Sequence, residues 1–202
     1  MSLPDPDQVR AVYDRTAARF GQRRSGSVME QGWIDRFVAD LPKDAHVLDL
    51  GCGTGEPVAR TLLERGCRVT GADISGEMLA LAKASFPQAD WVRADIQRLD
   101  LGQRFEGIVA WHSIFHLTID AQREALPRII KHLTPGGLLL MTTGLEEGES
   151  HGHVEEEVVY HASLDRAEYD AIFRAEGCEV MEFVADDQSC GGANVWLVRT
   201  SP

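Results

Sequence analysis

The run Val47-Leu48-Asp49-Leu50-Gly51-Cys52-Gly53-Thr54-Gly55 constrains this chain more than any other feature. The apolar stretch Ala45 to Leu50 suits a strand buried on both faces of a sheet. Glycines at every second position then let the backbone turn tightly and approach a ligand. Glu56 to Arg65 reads as the helix that follows, ended by Gly66, and a helix start offers unpaired N–H groups to the turn. An acid closes the next strand, Cys67 to Ala72: Asp73, placed where a carboxylate can accept both hydroxyls of a ribose.

The alternation continues. Gly76 to Ser85 reads as a helix, Asp90 to Ala94 as a strand, Glu106 to Trp111 as a strand, and Ala121 to Leu133 as a helix stopped by Pro135-Gly136-Gly137. Leu138 to Thr142 is a further strand, and Leu164 to Ala175 a helix that Ser163 or Asp165 can cap and Gly177 ends. Such alternation predicts an α/β fold with a mostly parallel sheet and helices on both faces. Glu179 to Ala185 and Asn194 to Arg199 have only a loop between them, so the sheet should end in an antiparallel hairpin. Two amphipathic helices precede everything. Asp5 to Phe20 carries Val9, Val12, Tyr13 and Phe20; Val28 to Leu41 carries Met29, Trp33, Phe37 and Leu41, and Pro42 closes it.

A length of 202 residues fits one domain, 1–202, with 5–42 as an N-terminal helical cap and 144–161 as a lid insertion. A net charge of −12 repels phosphate backbones, so a nucleic-acid partner is not expected; Arg19, Arg23 and Arg24 read as a solvated helix end. No run is long and apolar enough for a membrane helix, and the start has no secretory pattern. Cys52, Cys67, Cys178 and Cys190 are widely spaced and read as free thiols, which points to the cytoplasm.

Dinucleotide-dependent oxidoreductases share the strand–glycine turn–helix unit. Their fingerprint, G-x-G-x-x-G, has its third glycine where this chain has Glu56, a poor neighbour for pyrophosphate by charge. Val47 to Gly55 with Gly71-Ala72-Asp73-Ile74-Ser75, Ala94-Asp95-Ile96, Phe105 to Leu117, and Leu133-Thr134-Pro135-Gly136-Gly137 together resemble the class I S-adenosylmethionine-dependent methyltransferases. The resemblance implies a Rossmann-like seven-stranded sheet with a C-terminal antiparallel hairpin, and S-adenosyl-L-methionine as cofactor. It implies that Gly51, Cys52 and Gly53 line the methionine half, that Asp49 orients the amino group, and that Asp73 binds the ribose. Ile74 and Met78 would cover the adenine, Asp95 and the N–H of Ile96 would meet its edge, and the Trp111 backbone would approach the methionine portion. Tyr13 matches a tyrosine that closes over the carboxylate end, although a core aromatic reads equally from the helix pattern.

Transfer of a methyl from sulfonium is an in-line displacement, so much of the catalysis can be positioning. Trp111-His112-Ser113-Ile114-Phe115-His116 lacks the Pro-Pro-aromatic sequence that relatives acting on nucleobase or glutamine amino groups carry, which points to a small organic acceptor. His112 is the candidate base, or else a histidine held in the loop; His116 reads as structural or substrate-facing. Trp33 and Phe115 are candidates for the acceptor wall or the core. Glu146, Glu147, Glu149, His151, His153, Tyr160 and His161 fall in a polar stretch, read as a lid that brings His151, His153 and Tyr160 to the acceptor rather than as a metal site; Gly144, Gly148 and Gly152 would give it freedom to move. Cys190 belongs to a tight turn. The expected function is methylation of an oxygen or nitrogen of a small molecule by a monomer or homodimer. The alternatives are a non-catalytic cofactor-binding protein of the same fold and an NAD-dependent oxidoreductase.

Overall fold

The computed structural model describes residues 3–26, 29–144 and 146–202. Met1, Ser2, Val28 (where the second helix is expected to begin) and Leu145 (inside the expected lid) lie outside the described residues. The chain runs α1 (Val9–Arg24), α2 (Gln31–Ala39), β1 (His46–Leu50), α3 (Val58–Glu64), β2 (Arg68–Asp73), α4 (Gly76–Ser85), β3 (Asp90–Arg93), β4 (Phe105–Ala110), α5 (Ile119–Lys131) and β5 (Leu133–Thr143). Then come β6 (Gly148–Val154), β7 (Glu157–Ser163), α6 (Arg166–Ala175), β8 (Cys178–Asp187) and β9 (Ala193–Thr200). The seven-stranded sheet has the order β3-β2-β1-β4-β5-β9-β8. Its first five strands are parallel, and β9 pairs antiparallel with both β5 and β8, as the missing last helix required.

Side-chain alternation along the buried strands divides the core in two. Leu48, Leu50, Ile108, Ala110, Trp196 and Val198 point to the face covered by α5 and α6. Val47, Val109, Val195 and Leu197 point to the opposite face, where Ile34 and Phe37 of α2 and Ala59 and Leu62 of α3 cover them. This period of two is what a strand buried on both sides must show. Helix starts follow side-chain caps: Ser75 accepts the Met78 N–H at 3.1 Å, Thr118 the Ala121 N–H at 3.2 Å, and Asp165 the Glu168 N–H at 2.7 Å. Thr118 moves the start of α5 to Ile119, two residues before the expected position.

The polar segment after β5 differs from the loop its composition suggested. β6 and β7 form a separate antiparallel hairpin, paired from Gly148↔Ser163 to Val154↔Glu157. Backbone pairing holds β6, whose side chains are mostly polar, and Val154 and Val159 seal it against Val12 of α1. Gly152 is there for close approach rather than for motion: a Cβ at that position would sit 2.1 Å from the His161 ring.

Candidate active site

Strand order reverses between β1 and β4, and parallel strands leave a crevice at their carboxyl ends there. A cavity of about 530 Å³ occupies it, within the range of small-molecule sites. Its floor is the Gly51–Gly53 turn and the ends of β2 and β4; α1 and the β6–β7 hairpin supply the cover.

At the glycine-turn end, Gly51 has φ of +77°, and a Cβ there would lie 2.3 Å from the Ser113 Cβ, so both backbone and space demand glycine. Asp73 fixes this end. Its Oδ2 accepts the Gly53 N–H at 2.8 Å and its Oδ1 accepts the Ser75 N–H at 2.8 Å, so one carboxylate ties the turn to β2. Burial raises its pKa while those amides pull it down. Asp49 is 2 % exposed on the α3 side of β1, and its Oδ2 has no hydrogen-bond partner among the described residues. Burial first, and Asp73 second, push the Asp49 pKa up to about 8. Burial likewise raises the Cys52 thiol well above its usual value. Ile74, Asp95 and Ile96 also line the cavity, with Asp95 Oδ1 accepting the Gln97 N–H at 2.9 Å. Glu56 borders the cavity too, but Arg60 pairs with it at 2.8 Å, which weakens the charge repulsion expected of it.

The other end is a cluster of rings. The His116 Nδ1 lies 3.1 Å from the Tyr160 carbonyl, which can only accept, so Nδ1 carries the proton and Nε2 must accept from the Tyr13 hydroxyl at 2.8 Å. Burial and then His161 hold the His116 pKa down to about 3, and burial raises that of Tyr13. Phe115 packs on His161 with ring centres 4.5 Å apart. His112 has φ of +53°; its N–H donates to Thr142 Oγ1 at 2.8 Å, and its Nδ1 is 3.3 Å from the same hydroxyl. Burial, with Arg24 as the chief neighbouring charge, depresses the His112 pKa to about 4.

The structure gathers most of the residues singled out in the sequence. Tyr13, Asp49, Gly51, Cys52, Gly53, Asp73, Ile74, Asp95, Ile96, Trp111, His112, Phe115, His116 and His153 all border the cavity. Four do not. Met78 is buried on α4 beneath the turn, its Sδ 3.9 Å from where a Gly53 Cβ would be. Trp33 belongs to the α2 core and gives its indole N–H to Asp187 at 2.7 Å. Tyr160 turns its hydroxyl to Glu149 at 2.6 Å, and His151 sits beside His153 on the hairpin, outside the cavity lining. Alternation along β7 turns His161 to the cavity and Tyr160 away from it; His151 shares a face of β6 with His153, two residues before it.

Sequence reasoning missed Phe20, Arg24 and His161 as cavity residues. Arg23 and Arg24 are not a free solvated end: Arg23 lies 3.4 Å from Glu155, and Arg24, largely buried, pairs with the buried Glu30. A buried arginine at a helix end cannot be told from a solvated one by spacing alone. Among the described residues no group of three or more His, Cys, Asp and Glu is placed to hold a metal ion.

Residues 47–137 match the family model for a methyltransferase domain. Malonyl-[acyl-carrier protein] O-methyltransferase of Enterobacter lignolyticus is 32% identical over 141 residues, 69% of this chain and 54% of that protein. Trans-aconitate 2-methyltransferase of Azoarcus sp. is 38% identical over 107 residues, 51% of this chain and 41% of that protein. The chain spans about half the length of the curated relatives it matches. The solved structure of an amino pentose methyltransferase from Micromonospora echinaspora, with S-adenosylmethionine bound, shares the fold with a TM-score of 0.72, at 23% identity over 91% of this chain and 96% of that one. The matched stretch holds the glycine turn, Asp73, Asp95 and the β4 end, and the chain belongs to the class I S-adenosylmethionine-dependent methyltransferase family.

Proposed function

We propose that this chain transfers a methyl group from S-adenosylmethionine to an oxygen or nitrogen of a small organic molecule. The observation that carries the reading is the buried, unpartnered Oδ2 of Asp49 at the cavity floor, beside Asp73. A buried carboxylate oxygen without a donor is costly, and an ammonium group of a ligand would satisfy it. The cofactor fits the rest of this end. The Gly51–Gly53 turn leaves its backbone open to the ligand, and each Asp73 oxygen, holding one amide, keeps a lone pair for a ribose hydroxyl. Asp95 and the Ile96 N–H would meet the adenine edge, with Ile74 against its face. Tyr13 directs its proton to His116, so it seals the cavity with its ring instead of donating to a cofactor carboxylate.

Bound S-adenosylmethionine supplies an electrophilic methyl carbon. The protein's part is to hold the acceptor in line with it and to exclude water, through α1 and the hairpin, which acts as a lid. Relatives named for O-methylation of malonyl-[acyl-carrier protein] and for N,N-dimethylation of dTDP-linked amino sugars support both acceptor atoms. We infer a monomer or homodimer in the cytoplasm without a nucleic-acid partner; the net charge of −12 supports the last point, and the free thiols of Cys52, Cys67, Cys178 and Cys190 support the compartment. Among the described residues no helix is long and apolar enough to cross a membrane.

Methyl-labelled S-adenosylmethionine, incubated with the protein and a panel of small carboxylic acids, phenols, amines and thiols, tests the proposal. Label on an oxygen or nitrogen of a panel member supports it. Cofactor binding without transfer to any member points to the non-catalytic alternative, and heat protection by NAD but not by S-adenosylhomocysteine to the oxidoreductase.

A further inference from the structure

The two ends of the cavity have opposite hydrogen-bonding character. Four of the carboxylates that line the cavity, Asp49, Glu56, Asp73 and Asp95, sit on the turns after β1, β2 and β3; a further one, Asp7, comes from the segment before α1 that packs on β7. The stretches that form the other end, 111–117 after β4 and 153, 154 and 161 of the hairpin, bring no carboxylate to the cavity. They bring donors. The Trp111 indole N–H, in that wall, has no partner among the described residues. Arg24 gives its Nη2 to Glu30, and its remaining N–H groups have no partner among the described residues.

His112 joins them once its tautomer is fixed by counting protons. Thr142 is fully buried, and its hydroxyl oxygen already accepts the His112 N–H. The Thr142 proton then has one acceptor within reach, the His112 Nδ1 at 3.3 Å. If Nδ1 were protonated, the Thr142 proton would be buried unpaired, which costs more than one hydrogen bond returns. His112 is therefore a neutral imidazole with its proton on Nε2, the nitrogen free of protein partners. It is a donor to the cavity and has no lone pair there with which to remove a proton.

We propose that the methyl acceptor is a carboxylate, held at the ring-lined end by the His112 Nε2–H and the Arg24 guanidinium. The inference rests on the methyltransferase reading of the same cavity. A carboxylate needs no base, because it is already ionised at neutral pH. An oxygen lone pair forms the new O–CH₃ bond as the methyl–sulfur bond breaks, and its electron pair stays on sulfur. The products are a methyl ester and the neutral thioether, with no proton released. Phe20, Phe115 and His161 offer ring faces to an apolar or planar acid skeleton. An ammonium acceptor could not accept from either of these donors.

The test is binding as well as turnover. Benzoate, phenylacetate and glutarate, each beside its amide and its amine counterpart, are titrated calorimetrically into protein saturated with S-adenosylhomocysteine. At least one acid should bind about tenfold or more tightly than its counterparts, as charge-assisted bonds to two donors require. His112→Asn keeps an N–H donor, suits the positive φ and lacks imidazole basicity; it should retain acid binding and methyl-ester formation to within about tenfold. His112→Phe should lose acid binding by about tenfold or more while S-adenosylhomocysteine still binds. Arg24→Lys, which keeps the charge beside Glu30, should retain preference for the acid with weaker affinity. Amides or amines binding as tightly as the acids, no acid binding, or full loss of transfer in His112→Asn would overturn the inference. If S-adenosylhomocysteine itself does not bind, the methyltransferase proposal has failed instead.

Discussion

At the scale of single residues, two kinds of strain separate cleanly in the glycines. Gly51 and Gly26 share a positive φ, +77° and +75°, but only Gly51 has a neighbour where a Cβ would go. Gly26→Ala should therefore cost about 1 kcal/mol, the conformational penalty alone. Gly51→Ala should cost several-fold more and abolish S-adenosylhomocysteine binding, because Ser113 must move; urea unfolding and calorimetry check both. The histidines give a pH prediction. His112 and His116 fall from an ordinary 6.5 to about 4 and about 3 in the fold, so their contribution is fully present above pH 6.5 and lost as pH falls toward those values. The urea midpoint should drop between pH 6.5 and 4, and His116→Gln should flatten that drop. Asp49, raised to about 8, is protonated in the free protein at pH 7. Binding a cationic ligand should expel that proton, seen as a buffer-dependent heat that Asp49→Asn abolishes; a heat that is the same in every buffer would separate Asp49 from the ligand.

At the scale of elements, the β6–β7 hairpin is the cover whose fastening can be named. Arg15 meets Glu157 at 2.9 Å, Arg23 lies near Glu155, and the His116 Nδ1–H donates to the Tyr160 carbonyl. The two ion pairs are exposed at the arginine side, so Glu157→Gln should leave the urea midpoint nearly unchanged. The buried His116 bond matters more. Hydrogen exchange across 157–163 should quicken in His116→Ala and slow in wild type when S-adenosylhomocysteine is added; exchange indifferent to the ligand would make the hairpin a fixed wall. The hairpin is also where reading the sequence stopped short. Gly148 to Val154 is Gly-Glu-Ser-His-Gly-His-Val, with no apolar alternation to announce a strand. Its pairing is decided by β7 and by Val12 across the gap, contacts that no local pattern encodes. By contrast β1, β4 and β9 were legible because strands buried on two faces carry short runs of consecutive apolar residues, such as Ile108-Val109-Ala110 and Val195-Trp196-Leu197-Val198. The site divides in the same way. Asp49, Gly51, Gly53 and Asp73 were legible because one turn and the next strand end fix them by spacing. His161 and Arg24 reach the cavity only through tertiary packing, and Trp33, with the pattern of a wall residue, proved to be core.

At the scale of the whole molecule, the parallel half of the sheet presents the site and the antiparallel end anchors it. Trp196 of β9 is fully buried against Tyr169 and Phe173 of α6 and Phe183 of β8, and its indole N–H meets Thr143 Oγ1 at 3.1 Å. Trp196→Phe, which keeps most of the volume but removes the donor to Thr143 and leaves that hydroxyl only its bond to the Gly144 carbonyl, should cost about 1–3 kcal/mol without altering S-adenosylhomocysteine affinity. The glycine turn and Asp73 follow β1 and β2, separated from β9 by β5 and β4, and should be insensitive to it. On the methyltransferase reading, the cavity takes the adenosyl cofactor by way of Asp73. Calorimetric titration of S-adenosylhomocysteine into wild type and Asp73→Ala measures this directly. The account predicts one site per chain, weakened about tenfold or more by the substitution, which removes both the ribose acceptor and the tie to Gly53. No binding at high micromolar ligand, or an affinity that Asp73→Ala leaves unchanged, would contradict it.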